Sequence, residues 1–157
     1  MLEIKPTQKI PITQDPKIFL AGSIEMGSAE HWQDRVVKKF AQEQIVVLNP
    51  RRNNWDAGWE QRKENPDFRG QVEWELRALE LSDHIILYFD PLTKSPISLL
   101  EMGLYARGGK LLITCPEGFW KKGNVDIVCD LYRVPQFTNL DSLLKHLVSL
   151  IRQGRVS

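Results

Sequence analysis

With 157 residues, 42% of them hydrophobic and 26% charged, the chain has the make-up of one globular domain, long enough to bury a core without disulfides or metals. Its 21 Lys and Arg balance 20 Asp and Glu, and no long run of one sign occurs, so nucleic acid and anionic membrane surfaces are not the expected partners. Cys115 and Cys129 form no C-x-x-C and have no neighbouring His, which speaks against a zinc site or disulfide framework and for a reducing, cytoplasmic setting.

The segment 1–16 is polar and Pro-punctuated, without the apolar core of an export signal, and reads as an extended N-terminal stretch of a single domain spanning 1–157. Ile18-Phe19-Leu20-Ala21 is a short apolar run closed by Gly22-Ser23, a strand and its turn. From Ser28, a candidate cap, Trp32, Val36, Val37 and Phe40 recur at helical spacing. Ile45 to Leu48 is the next strand. The stretch from Asn49 to about Arg69 carries Trp55 and Trp59 but no clear period, and a connection of this length is usually a lid or binding loop.

Val72, Leu76 and Leu79 lie on one face of a helix that leads into the strand His84 to Phe89, closed by Asp90-Pro91. Pro96 suits the first turn of a helix carrying Leu99, Leu100, Gly103, Leu104 and Ala106, which Gly108-Gly109 ends. A strand at Leu111 to Thr114, a helical segment from Val125 to Leu131, a short strand at Val134 to Phe137 and a helix from Leu140 to Ile151 complete the series. Strands alternating with helices predict an α/β fold of flavodoxin or Rossmann type, a parallel sheet with helices on both faces.

Ligands of such sheets bind outside the carboxyl ends of the strands. The turn from Ala21 to Gly27 permits close backbone approach, yet it lacks the G-x-G-x-x-G and G-K-[ST] patterns of phosphate loops and contains Glu25. A plain strand-to-helix turn explains it equally well. Asp90 at a strand end and Glu101 in the following helix are a candidate carboxylate pair, the usual means of breaking glycosidic bonds. Against this, Ser98-x-x-Glu101 spells a capping box, and Asp90-Pro91 is a common turn opener. A helix start at Ser95-Pro96 would instead leave Glu101 in the helix interior. Glu73 and Glu75 flank Trp74 on a helix where carboxylates are mostly solvated, and Trp55 and Trp59 are equally able to stack on a planar ligand or pack on the domain. Arg51 and Arg52 suit either a phosphate or ion pairs within the loop, and His31, His84 and His146 show no ligand spacing.

Lys17 to Ser23, Asn49-Pro50-Arg51-Arg52, Gln71-Val72-Glu73-Trp74-Glu75, Asp90-Pro91 with Ser95 to Gly103, and Gly123-Asn124-Val125 together resemble the nucleoside 2-deoxyribosyltransferase-like family, over roughly residues 17 to 137. The resemblance implies a flavodoxin-like fold, exchange of the base of a 2′-deoxynucleoside for a free nucleobase, no cofactor or metal, and a covalent deoxyribosyl-glutamate formed with retention. It places the nucleophile at Glu101, within Glu101-Met102-Gly103, the sugar-positioning carboxylate at Asp90, and the acid that protonates the leaving base at Glu75, with Glu73 as the alternative. It also implies a homo-oligomer with sites near subunit interfaces, where Asn124 reaches a neighbour's pocket. Gly22, Ser23, Phe19 and Ser98 are expected to line that pocket, with Trp55 and Trp59 as lid and stacking wall. Two departures stand out. Phe19 occupies the place of a family Tyr, which removes a hydrogen bond to the nucleophile, and Glu25 stands where related monophosphate N-glycosidases, which use water as acceptor, carry Arg. Hydrolysis on the same carboxylates and a non-catalytic nucleotide-binding module are the alternatives to transfer.

Overall fold

The computed structural model describes residues 1–24, 31–52 and 60–154. Among them the strands are β1 (Leu2–Ile4), β2 (Lys17–Gly22), β3 (Val46–Leu48), β4 (His84–Tyr88), β5 (Leu111–Thr114) and β6 (Gln136–Phe137). The helices are α1 (Trp32–Phe40), α2 (Pro66–Leu81), α3 (Pro96–Tyr105), α4 (Lys122–Tyr132) and α5 (Leu140–Gly154). The strands form one sheet in the order β1-β3-β2-β4-β5-β6, and every neighbouring pair is parallel.

The central strands are buried on both faces, which is why they read as unbroken apolar runs. Phe19, Ile85, Leu87 and Ile113 point to one side, where Trp74, Ala78 and Leu79 of α2, Met102 and Tyr105 of α3, and Val125 and Cys129 of α4 cover them. Ile18, Leu20, Ile86 and Leu112 point to the other, under Trp32, Val36 and Phe40 of α1 and Leu143, Leu144 and Leu147 of α5. Cys115 and Cys129 are both buried free thiols. No helix among the described residues is long and apolar enough to cross a membrane.

Two expectations need correction, and the extended segment gains a strand. Within segment 1–16 Leu2–Ile4 is a strand, paired in register with Val46–Leu48 at the sheet edge. The irregular stretch ends earlier than Arg69, because Asn65 caps α2 by accepting the amides of Asp67 and Phe68, and Pro66 opens the helix. The buried face of α2 is Gln71, Trp74, Ala78 and Leu79, whereas Leu76 is 43% exposed. Bulky Trp74 and polar Gln71 take the inward positions that Val72 and Leu76 were expected to hold. The helix foreseen from Ser28 is seen from Trp32, and Ser28 lies outside the described residues.

Candidate active site

The strand order reverses between β2 and β4. The chain leaves β2 through α1 for β3 on one side and leaves β4 through α3 for β5 on the other. Such a switch point opens a crevice at the carboxyl ends of the two strands, and the residues there are Gly22-Ser23 and Phe89-Asp90.

Gly22 has φ +136°, and a Cβ on it would collide with the carbonyl oxygen of Tyr88, its register partner. Only glycine fits this close approach. The turn lets the Ser23 amide donate to Tyr88 O at 2.8 Å and sends the Ser23 side chain under the loop that follows β4. There Ser23 Oγ accepts the amide N–H of Asp90 at 2.8 Å and contacts Thr93 Oγ1 at 2.9 Å and Ser95 Oγ at 2.5 Å. Thr93 Oγ1 also donates to the Asp90 carbonyl at 2.9 Å. Ser23, Thr93 and Ser95 are all buried, so this hydroxyl cluster fastens the loop from inside. Asp90 is buried as well, and its Oδ1 accepts the amide of Leu92 at 2.9 Å, closing an Asx-type turn.

That loop delivers the chain into α3 through Ser95, whose φ of +47° is left-handed. The helix begins at Pro96, and the Ser95 side chain makes no cap bond. Of the two helix starts open in the sequence, the one at Ser95-Pro96 is formed, and Ser98 and Glu101 are both inside the helix. Ser98, Glu101, Met102 and Tyr105 form its buried face, the i, i+3, i+4, i+7 stripe of an amphipathic helix. Glu101 is thus a carboxyl group only 8% exposed that serves no helix terminus.

Burial is the main force on Glu101, and the charge of Glu75 adds to it. Together they push its pKa up to about 8. Glu75 projects from α2 and is itself raised, chiefly by desolvation, while a hydrogen bond from Gln71 and the charge of Arg52 pull it back. Nε2 of Gln71 donates to Glu75 Oε1 at 2.7 Å. Glu73 is different: it is exposed and ion-paired to Arg69 at 2.5 Å. Between the two acidic neighbours of Trp74, Glu75 is therefore the one electrostatically coupled to Glu101.

Phe19 is fully buried in β2, on the same side of the sheet as Trp74 and Met102, and offers no hydroxyl to a carboxylate. Tyr105, one turn beyond Glu101, gives its hydroxyl to Glu80 at 2.8 Å. Asn124 is exposed on the first turn of α4. Arg51 donates to Gln33 Oε1 and to His31 Nε2, each at 3.1 Å, while Arg52 acts on Glu75. Trp55, Trp59 and Glu25 lie outside the described residues. The structure thus brings Gly22, Ser23 and Asp90 together at the switch point and couples Glu75 with Glu101 on the α2 and α3 side. Sequence reasoning missed Gln71, although its place four residues before Glu75 was the available signal, and it missed the pairing of Thr93 and Ser95 with Ser23.

This arrangement holds a buried carboxyl raised to about 8, a second carboxyl raised and coupled to it, and a third, buried, at a strand end. Among the described residues no group of three or more His, Cys, Asp or Glu is placed to hold a metal ion. No curated protein matches the chain. The family model described as nucleoside 2-deoxyribosyltransferase like matches residues 15–119, a span that holds Gly22, Glu75, Asp90 and Glu101 and stops before Asn124. The chain belongs to the nucleoside 2-deoxyribosyltransferase-like family.

Proposed function

We propose that the protein is a nucleoside 2-deoxyribosyltransferase that exchanges the base of a 2′-deoxynucleoside for a free nucleobase. The observation that carries this reading is the coupling of two carboxyl groups, buried Glu101 and half-buried Glu75, from consecutive helices of a family member.

Glu101 Oε attacks C1′ of the deoxyribose, and the electron pair of the C1′–N bond leaves with the base. A departing base anion is unfavourable at neutral pH, so Glu75 gives its proton to the base as the bond breaks. The oxocarbenium-like transition state is stabilised by the Glu101 carboxylate, which then bonds to C1′. A second base attacks C1′ from the face the first one left, Glu101 departs as carboxylate, and the proton of the incoming base returns to Glu75. Two inversions give net retention. Asp90, held by the Ser23 hydroxyl and its own Asx-type turn, positions the sugar, with the Gly22-Ser23 backbone and Ser98 beside it.

Transfer requires that the intermediate outlast the exchange of one base for another, so water has to be kept out. Trp55 and Trp59 are the residues we assign to that closure and to stacking on the base. We further assign the working form to a homo-oligomer. Ile97, Leu100 and Leu104 of α3 and Ile127 and Leu131 of α4 are all more than half exposed, at 56–69%. They form i, i+3, i+7 and i, i+4 stripes on the outer faces of helices from the same layer, a pattern that fits burial against another copy. Asn124, exposed on α4, is then available to a neighbour's site.

The test is product chromatography after incubation with 2′-deoxyinosine or thymidine, with and without adenine, beside Glu101→Ala. We expect 2′-deoxyadenosine from the wild type alone. Free base and deoxyribose without exchange would replace transfer by hydrolysis, and binding without turnover would make the protein a nucleotide-binding module.

A further inference from the structure

Gln71 is the polar residue on the buried face of α2, 4% exposed beside Trp74 and Ala78. A buried amide is costly unless both its ends are bonded. Its nitrogen is well served: Nε2 donates to Glu75 Oε1 at 2.7 Å and, across to the loop after β3, to Pro50 O at 3.4 Å. Its oxygen is not, for Oε1 is buried with no donor among the described residues. A side chain kept in the core with one good bond and one orphaned acceptor calls for an explanation beyond packing.

The explanation lies in what Glu75 has to do. Three groups act on its carboxyl: Gln71 from its own helix, Arg52 from the loop after β3, and Glu101 from α3. The amide N–H and the guanidinium both favour ionised Glu75. Glu101 has no hydrogen-bond donor among the described residues and is the more deeply buried, so in the empty site a proton shared by the two rests on Glu101. Glycosyl transfer needs the opposite arrangement, with Glu101 ionised to attack and Glu75 protonated to serve the leaving base.

We propose that Gln71 is a positioning residue that sets which of the two carboxyls holds the shared proton, gripping ionised Glu75 through Nε2 and protonated Glu75 through Oε1. Half a turn of the amide exchanges donor for acceptor at the same contact; it gives up the long bond to Pro50 and moves the Nε2 hydrogens to the place Oε1 now holds. The orphaned Oε1 is the acceptor held for that second state. In the step itself one proton leaves Glu101 Oε and one comes to rest on Glu75 Oε, so the pair keeps a single negative charge throughout. The use made of the proton rests on the function proposed above, whereas the grip on Glu75 exists with or without turnover.

The test is a carboxyl ¹³C NMR titration of the substrate-free, glutamate-labelled protein, with Glu75→Gln and Glu101→Gln assigning the two resonances. In Gln71→Met, which keeps the length and apolar volume, the Glu75 midpoint should rise by about one pH unit, because the carboxylate loses its donor. Gln71→Glu, which keeps a polar group of the same size, should raise it too. A Glu75 midpoint that stays in place in either folded variant overturns the proposal. In base exchange Gln71→Met should shift the acid limb of the pH profile upward and add nothing in a Glu75→Gln background; additive losses would mark Gln71 as merely structural. The titration is read without substrate, so it decides the role of Gln71 even where no base exchange is found.

Discussion

The amide of Asp90 donates to Ser23 Oγ at 2.8 Å, so a side chain at the end of β2 extends the backbone pairing and holds the loop after β4. Ser23→Ala removes that acceptor from the buried Asp90 amide and breaks the contacts to Thr93 and Ser95. We expect a loss of about 1–3 kcal/mol in urea denaturation and a fall in kcat/KM for base exchange, since Asp90 loses its anchor. A variant as stable and as active as the wild type would show that the cluster does not position Asp90.

The proposed mechanism also sets a pH profile through the Glu75 and Glu101 pair. Productive turnover needs one proton on the Glu75 and Glu101 pair, so kcat/KM should be bell-shaped. The alkaline limb belongs near the value of about 8 to which Glu101 is pushed, where the pair loses its last proton. The acid limb is shifted upward from the ordinary carboxylate value because Glu75 is raised too. In Glu75→Gln the alkaline limb reporting this shared proton should disappear. A flat profile from pH 5 to pH 9 in the wild type would contradict a shared catalytic proton.

A carboxyl group buried at this cost should also weaken the fold. The Glu101 carboxyl keeps its proton in the native state up to about pH 8 and loses it near 4.5 when unfolded. Between those values the native state binds more protons, so its contribution to stability falls as pH rises, and it is level below 4.5 and above 8. Glu101→Gln does not titrate and should match the wild type at pH 4. By pH 9 it should be more stable, on the order of a few kcal/mol, while being inactive. Chemical denaturation across this range reads the difference directly, and a variant less stable than the wild type at pH 9 would contradict the burial argument.

The exposed stripes on α3 and α4 make a separate prediction. The wild type should run in light scattering at a multiple of its 18.2 kDa chain mass, and Leu100→Arg combined with Ile127→Arg should run as the single chain. If Asn124 completes a neighbour's pocket, base exchange falls with the dissociation. A wild type that is monomeric and fully active would remove both claims.

How much of this was legible depended on how each residue meets water. The central strands were plain because burial on both faces makes them continuous apolar runs, as in Ile85-Ile86-Leu87. The edge strand Leu2–Ile4 was hidden because only Ile4 of its three residues is buried. The inner face of α2 was misread because Gln71 goes in while Leu76 stays out, an inversion that hydrophobic period cannot register. Glu101 was legible through Pro96, which fixes the helix start and so the face on which Glu101 falls. The family resemblance supplied the roles proposed for Asp90 and Glu75. It did not supply the part of Gln71, which depends on a polar side chain turned into the core beside Glu75, four residues on.

The most direct measurement is intact-mass spectrometry of the wild type mixed with a 2′-deoxynucleoside and quenched in acid within milliseconds, followed by peptide mapping. The account predicts a mass increase of one deoxyribosyl group, located on the peptide containing Glu101 and chased away by adding free adenine, with no adduct in Glu101→Ala. Base exchange proceeding without any adduct, or with the adduct on another residue, would contradict the assignment of Glu101 as nucleophile.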